Sequence, residues 1–146
     1  MGNRMNAWSH LPNASHIDRI LADLKANPTK WKATRALAPQ DAAWGAARYA
    51  AREAARYAAR EAAWGAAREA AWGAAREAAW GVAWGVANEA AWDAVRSAIA
   101  ALIAWDDCAH LLDSEPDEVK LLARLGVNAA ILIYPACIAL NTHLTN

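Results

Sequence analysis

Arg48, Arg52, Arg56 and Arg60 stand at successive four-residue intervals, Tyr49 and Tyr57 each follow one of them, and Trp64 and Trp72 continue the column. A guanidinium grips phosphate or carboxylate through paired N–H donors. An indole or phenol ring offers a face on which a nucleobase stacks. A groove lined by both suits an anionic planar ligand such as a nucleotide, so these residues form the candidate ligand-binding set. The column also fits a purely structural use, in which Trp knobs pack on the Ala surface of a neighbouring helix and Arg extends to water. From Trp64 it alternates as Trp64, Arg68, Trp72, Arg76, Trp80. Each guanidinium there has an indole one turn away, a spacing worth about 0.5–1 kcal/mol when exposed.

A second constellation lies in WDDCAHLLD, which on a continuous helix brings Asp106, His110 and Asp113 to one face, next to Asp107 and Cys108. Carboxylates and imidazole at such spacing suit a metal or a proton relay. With no second ligand cluster, surface ion pairing accounts for them, and no metal is assigned. Nothing has the form of a phosphate-binding glycine loop, a nucleophile elbow, an HExxH helix or a paired-cysteine zinc site. The expectation is a protein that is not an enzyme and carries no cofactor.

These residues are positioned by a repeat. From Ala42 the chain reads AAWG AARY AARE AARY AARE AAWG AARE AAWG AARE AAWG VAWG VANE AAWD AVRS AIAA LIAW, two small residues always preceding a variable pair. A helix turns 100° per residue, so each tetrad advances about 40° around the axis and the Trp/Arg column cannot stay on one face. A period of four also fits neither the 3.5 nor the 3.67 spacing of supercoiled helices. One unbroken helix over residues 41–105 would be about 100 Å long, out of scale with a domain of this size. The repeat is therefore expected to break into two or more helices packed on each other, with the break around Gly81 to Asn88. Gly65, Gly73, Gly81 and Gly85 would together cost roughly 4 kcal/mol inside one helix. Their regular placement predicts close backbone approach at most of them.

Around the repeat the patterning is conventional. Residues 1 to about 14 read as irregular. Ile17, Ile20, Leu21 and Leu24 then mark a short amphipathic helix, with Ser15 and Asp18 as a capping-box variant and Pro28 as its stop. Thr29 is the expected cap of a second helix through Trp31 and Leu37, ended by Pro39, and Pro39 and Asp41 suit the first turn of the repeat. After Arg96 the repeat passes into an ordinary core-facing helix. Pro116 and Asp117 restart the chain for a helix of Val119, Leu121, Leu122 and Leu125 that stops at Gly126. Asn128 then caps a final helix, AAILIYPACIAL, apolar all round and kinked at Pro135. The fold class is all-α: a compact helical bundle of close-packed Ala/Trp-rich repeat helices with a short C-terminal helical hairpin. All 146 residues form one domain, with short helices over 1–38, the repeat over 41–105 and the C-terminal helices over 106–146.

Composition sets the remaining bounds. Apolar residues make up 57% of the chain, with Phe absent and Trp present nine times, so the core must be shallow and filled by indoles. Formal net charge is zero, which argues against a general nucleic-acid binder. The charges are nevertheless segregated. From Lys25 to Arg60 the bases face only Asp41 and Glu53, whereas Asp106, Asp107, Asp113, Glu115, Asp117 and Glu118 meet no Lys or Arg. A chain so polarised is disposed to fold back on itself or to pair with a copy. Cys108 and Cys137, placed in helices, are expected as reduced, buried thiols. No apolar leader opens the sequence and no run reaches the roughly 20 apolar residues of a membrane span. The reading is a soluble cytoplasmic protein.

The tetrads AAWG and AARE, with LPNASHIDRILADLKANPTKW before them and ALIAWDDCAHLLDSEPDEVKLLARLGVNAAILIYPACIAL after them, resemble uncharacterised Ala/Trp/Arg-rich repeat proteins of tailed bacteriophages and prophages. The resemblance implies a phage origin and a bacterial host's cytoplasm, and it transfers no functional residue. Two functions are expected from the Arg/aromatic column and the repeat: capture of an anionic planar ligand, such as a nucleotide signal of host defence, or a structural module that self-associates or binds a host protein.

Overall fold

A computed structural model describes residues 8–9, 11–35, 41–59, 70–74, 77–78, 81 and 89–141. Every regular element among them is helical: α1 Ala14–Ala26, α2 Pro28–Arg35, α3 Asp41–Ala59, α4 Glu89–Ala104, α5 Pro116–Arg124 and α6 Asn128–Leu140, with a 3-10 turn at Ala109–Leu112 between α4 and α5. The helices pack into one compact all-α body. Its axis is α6, against which α2, α3, α4, α5 and the 3-10 turn all pack. That follows from sequence: α6 is apolar on every side, and residues 130–137 are buried without interruption. Pro135 lies inside this helix; lacking an N–H, it leaves the Ile131 carbonyl without its usual helical donor.

The repeat does divide into helices that pack on one another, α3 and α4. Of the expected break only Gly81 is described, and residues 82–88, like Gly65, lie outside the described residues. Close packing over glycine does not hold at Gly73 or Gly81, where an added Cβ would meet no heavy atom within 4 Å. Gly45 is equally open. What lets helices approach is alanine: Ala47, Ala51, Ala71, Ala94, Ala98, Ala100 and Ala101 are fully buried, with Trp31 and Trp44 filling the space between. Nor is α4 a one-sided helix at its end, since every residue from Ser97 to Ile103 is buried.

Helix ends depart from the expected caps for identifiable reasons. Asn13, not Ser15, occupies the N-cap of α1, and Asp18 accepts the Trp8 indole N–H at 2.8 Å instead of closing a capping box. The Asn13 side chain is spent elsewhere: buried, it donates to the Leu102 carbonyl at 2.9 Å and the Trp105 carbonyl at 3.2 Å, closing the C-terminus of α4. Pro28 opens α2 rather than merely ending α1, because its missing N–H is free of cost at a first helical position, so Thr29 lies inside the turn. At the start of α6 the N-cap is Val127, and Asn128 is already helical. Between α5 and α6 the chain turns through Gly126 at φ +89°, with Gly126 N–H on the Ala123 carbonyl and Val127 N–H on that of Leu122, the paired bonds of a Schellman closure. That turn makes α5 and α6 the expected C-terminal hairpin.

Candidate functional site

Helix α3 carries the described part of the Arg/aromatic column, and its drift is visible residue by residue. Trp44 is 2% exposed in the core, Arg48 one tetrad later is half-buried at the α3–α4 seam, and Arg52 a further tetrad on is exposed. A rotation of about 40° per tetrad carries the column from core to solvent in two steps. Tyr49 stands 67% exposed. Arg56 and Tyr57 belong to α3, but their side chains lie outside the described residues, as do Arg60, Trp64, Arg68, Arg76 and Trp80 entirely. Trp72 is half-buried and packed on the core.

At the seam Arg48 meets a carboxylate of α4. Its Nη1 lies 3.5 Å from Asp93 Oδ1 on α4, and Arg96 Nε approaches the same oxygen at 3.2 Å. The Arg96 guanidinium sits over the Trp92 ring, 4.3 Å from its centroid. This is the Trp/Arg stacking predicted for the alternating tetrads, realised in the tetrads AAWD and AVRS, where sequence reading had not placed it. Asp93 was missed as well. Its signal was the single replacement of Gly or Glu by Asp in the fourth place of a tetrad, a carboxylate where the neighbouring helix presents arginine.

The second constellation is dissolved by the fold. Helix α4 ends at Ala104, where side chains meet the terminal carbonyls: Asn13 donates to Leu102 and Trp105, and the Cys108 thiol donates at 3.4 Å to the Ala101 carbonyl, which also accepts the Trp105 N–H at 2.9 Å. Asp106, His110 and Asp113 therefore do not share a helical face, and Cys108 lies in a turn rather than a helix. Asp113 pairs with Arg19 through two contacts, at 2.8 and 3.3 Å, and that hydrogen-bonded guanidinium holds its carboxyl below the usual range. His110 Nδ1 lies 3.1 Å from the Asp107 carbonyl, and the Ser114 hydroxyl donates to the His110 carbonyl at 2.9 Å. Among the described residues no three His, Cys, Asp or Glu side chains are arranged to hold a metal.

Both cysteines are free and buried. Burial, reinforced by the charge of Asp107, pushes the Cys108 thiol up to about 12. Burial likewise pushes Cys137 up to about 11, against a smaller opposing pull from Asn141. Such thiols are neutral donors, and Cys137 donates to the Ser114 carbonyl at 3.3 Å.

No family model, curated protein or solved structure matches this chain. Its function has to be argued from what its surface offers. The helix expected from Val119, Leu121, Leu122 and Leu125 forms as α5, and its i and i+4 positions set 119, 122 and 123 on one side and 121 and 125 on the other. Val119 and Ala123 are buried, whereas Leu121 is 56% and Leu125 70% exposed, with Val127 beyond them at 41%. Among the described residues no helix is long and apolar enough to cross a membrane.

Proposed function

We propose that the chain is a non-enzymatic helical module that acts through protein–protein contact, with the outer face of α5 and the Leu125–Val127 turn as its contact surface. The observation that carries this reading is the division of apolar side chains. The described tryptophans of the repeat are drawn into the core or packed against it, whereas Leu121, Leu125 and Val127 stand in solvent together on one helix end. Exposed apolar side chains gathered in one place mark interaction sites more often than isolated ones do. The resemblance to phage repeat proteins supports a setting inside a bacterial host. Photo-cross-linking tests the reading: Leu121→p-benzoylphenylalanine is expected to give a polypeptide adduct in cells that disappears when Leu125→Glu is added. Absence of any adduct would remove the contact surface.

A second reading, capture of an anionic planar ligand, is supported by the α3–α4 seam, where Arg48 and Arg96 converge on one oxygen of Asp93 beside the Trp92 ring and Arg52 is exposed one turn further. A phosphate competing with Asp93 for those guanidiniums would find an aromatic face within reach. Calorimetry against cyclic and linear nucleotides decides it, since heat abolished by Arg48→Ala supports capture and no heat with any nucleotide excludes it.

A further inference from the structure

We propose that the partner of the α5 face is a second copy of this chain, docked with the two α5 helices antiparallel about a twofold axis passing near Leu121. This rests on the contact reading above and names its occupant. Helix α5 turns Val119 and Ala123 inward, so helical geometry sets Asp117, Leu121 and Arg124, spaced by four and three, along its outward line, with Glu118 and Leu125 flanking. All five are exposed. The charges on this line are ordered: Asp117 and Glu118 occupy the first turn and Arg124 the last.

That order is complementary to itself in one orientation only. With the helices antiparallel and Leu121 opposite Leu121, Arg124 of each copy lies on the same flank as Asp117 of the other, twice by symmetry, and the Glu118 position meets that of Leu125. Parallel helices would set acids on acids and Arg124 on Arg124. Opposed helix dipoles favour the antiparallel arrangement too, since each positive N-terminus lies beside a negative C-terminus. The interface is isologous, as closed dimers require. A different partner would have to carry the pattern that this helix already provides. The Schellman turn at Gly126 and the packing of α5 on α6 hold Leu125 and Val127 at the rim without further ordering.

A nine-residue helix and its turn offer a small contact, below the roughly 1,200 Å² of transient complexes, so the association is weak and concentration-dependent. Sedimentation velocity on the full chain, from about 10 µM to about 1 mM, is the measurement, a range chosen to bracket weak complexes. The weight-average mass is expected to climb from the 15.7 kDa of one chain toward twice that value. Asp117→Arg and Arg124→Glu are each expected to weaken association by tenfold or more, in round terms, as like charges come into register. The double variant Asp117→Arg/Arg124→Glu is expected to regain it, and Leu121→Glu to abolish it, with circular dichroism showing all four folded. If a variant unfolds, Leu125→Glu is the independent probe of the same face. A mass constant at 15.7 kDa, or a double swap that fails to restore association, overturns the second-copy assignment. A monomeric chain that still forms a Leu125-dependent adduct from position 121 overturns that assignment alone, whereas a monomer with no adduct overturns the contact reading with it.

Discussion

Removal of the Asp23 carboxylate should loosen the N-terminal helices by an amount that separates an indole hydrogen bond from a surface ion pair. Asp23 Oδ2 accepts the Trp31 indole N–H at 2.7 Å and lies 3.0 Å from Lys30 Nζ, and Oδ1 accepts from the Asn27 side chain at 3.2 Å. Trp31 itself is fully buried. In Asp23→Ala its indole N–H loses a charged acceptor, a loss of about 1.5–3 kcal/mol. The Lys30 contact, partly exposed on both sides, adds at most about 1 kcal/mol. The sum, about 1.5–4 kcal/mol, is a large part of the roughly 5–15 kcal/mol of a typical domain. In Asp23→Asn a neutral acceptor remains, and about half of the loss is expected. Urea unfolding followed by circular dichroism measures this as a lower midpoint with an unchanged slope. Lys30→Ala should cost no more than about 1 kcal/mol. An Asp23→Ala chain within about 0.5 kcal/mol of wild type, or a Lys30→Ala loss equal to that of Asp23→Ala, would refute the assignment of the stabilisation to the indole bond.

Further outcomes follow from the same geometry. Gly45 sits inside α3 with open space where a Cβ would go, so Gly45→Ala should raise stability by about 0.5–1 kcal/mol, read as a higher thermal midpoint. The buried Ser97 hydroxyl has no hydrogen-bond partner among the described residues, and Ser97→Ala should be stabilising by about 1 kcal/mol in the same assay. Cys108 and Cys137 titrate at about 12 and about 11 when folded and at about 9 when unfolded, so the unfolded chain releases these protons first. Their contribution is fully present below pH 9 and is lost as pH rises toward 11–12; Cys108→Ala or Cys137→Ala should flatten that decline in a stability–pH series. The same two thiols should react with a disulfide reagent at neutral pH only after denaturant is added.

Periodicity carried the fold a long way. The stretch Ile17, Ile20, Leu21, Leu24 and the all-apolar AAILIYPACIAL each specify their helix without help from the rest of the chain, and both form as the spacing predicts. The drift of about 40° per tetrad predicts that the column divides between core and solvent, and Trp44, Arg48 and Arg52 do so; which residue falls where is not legible from the period. What one-dimensional reading missed were contacts between residues far apart in the chain. Asn13 gives no local sign that its amide will close α4, and without that contact WDDCAHLLD reads as helix. Asp93 is an unremarkable acid until α3 brings Arg48 beside it. Leu121 reads only as part of a helix, because hydrophobicity alone does not say which of two faces a nine-residue helix turns inward.

The bond from Asn13 to Leu102 spans 89 positions, and this gives it a meaning in time as well as in space. On the ribosome, at about 5–20 residues per second, roughly 5–20 s separate the emergence of Asn13 from that of its acceptor. For that interval α1 is a short helix without the wall it packs on. Helix α4, once made, has no closure for its last turn until the start of the chain returns to it. The closure of α4 and the packing of α1 are thus one event, completed only after both ends of that bond exist.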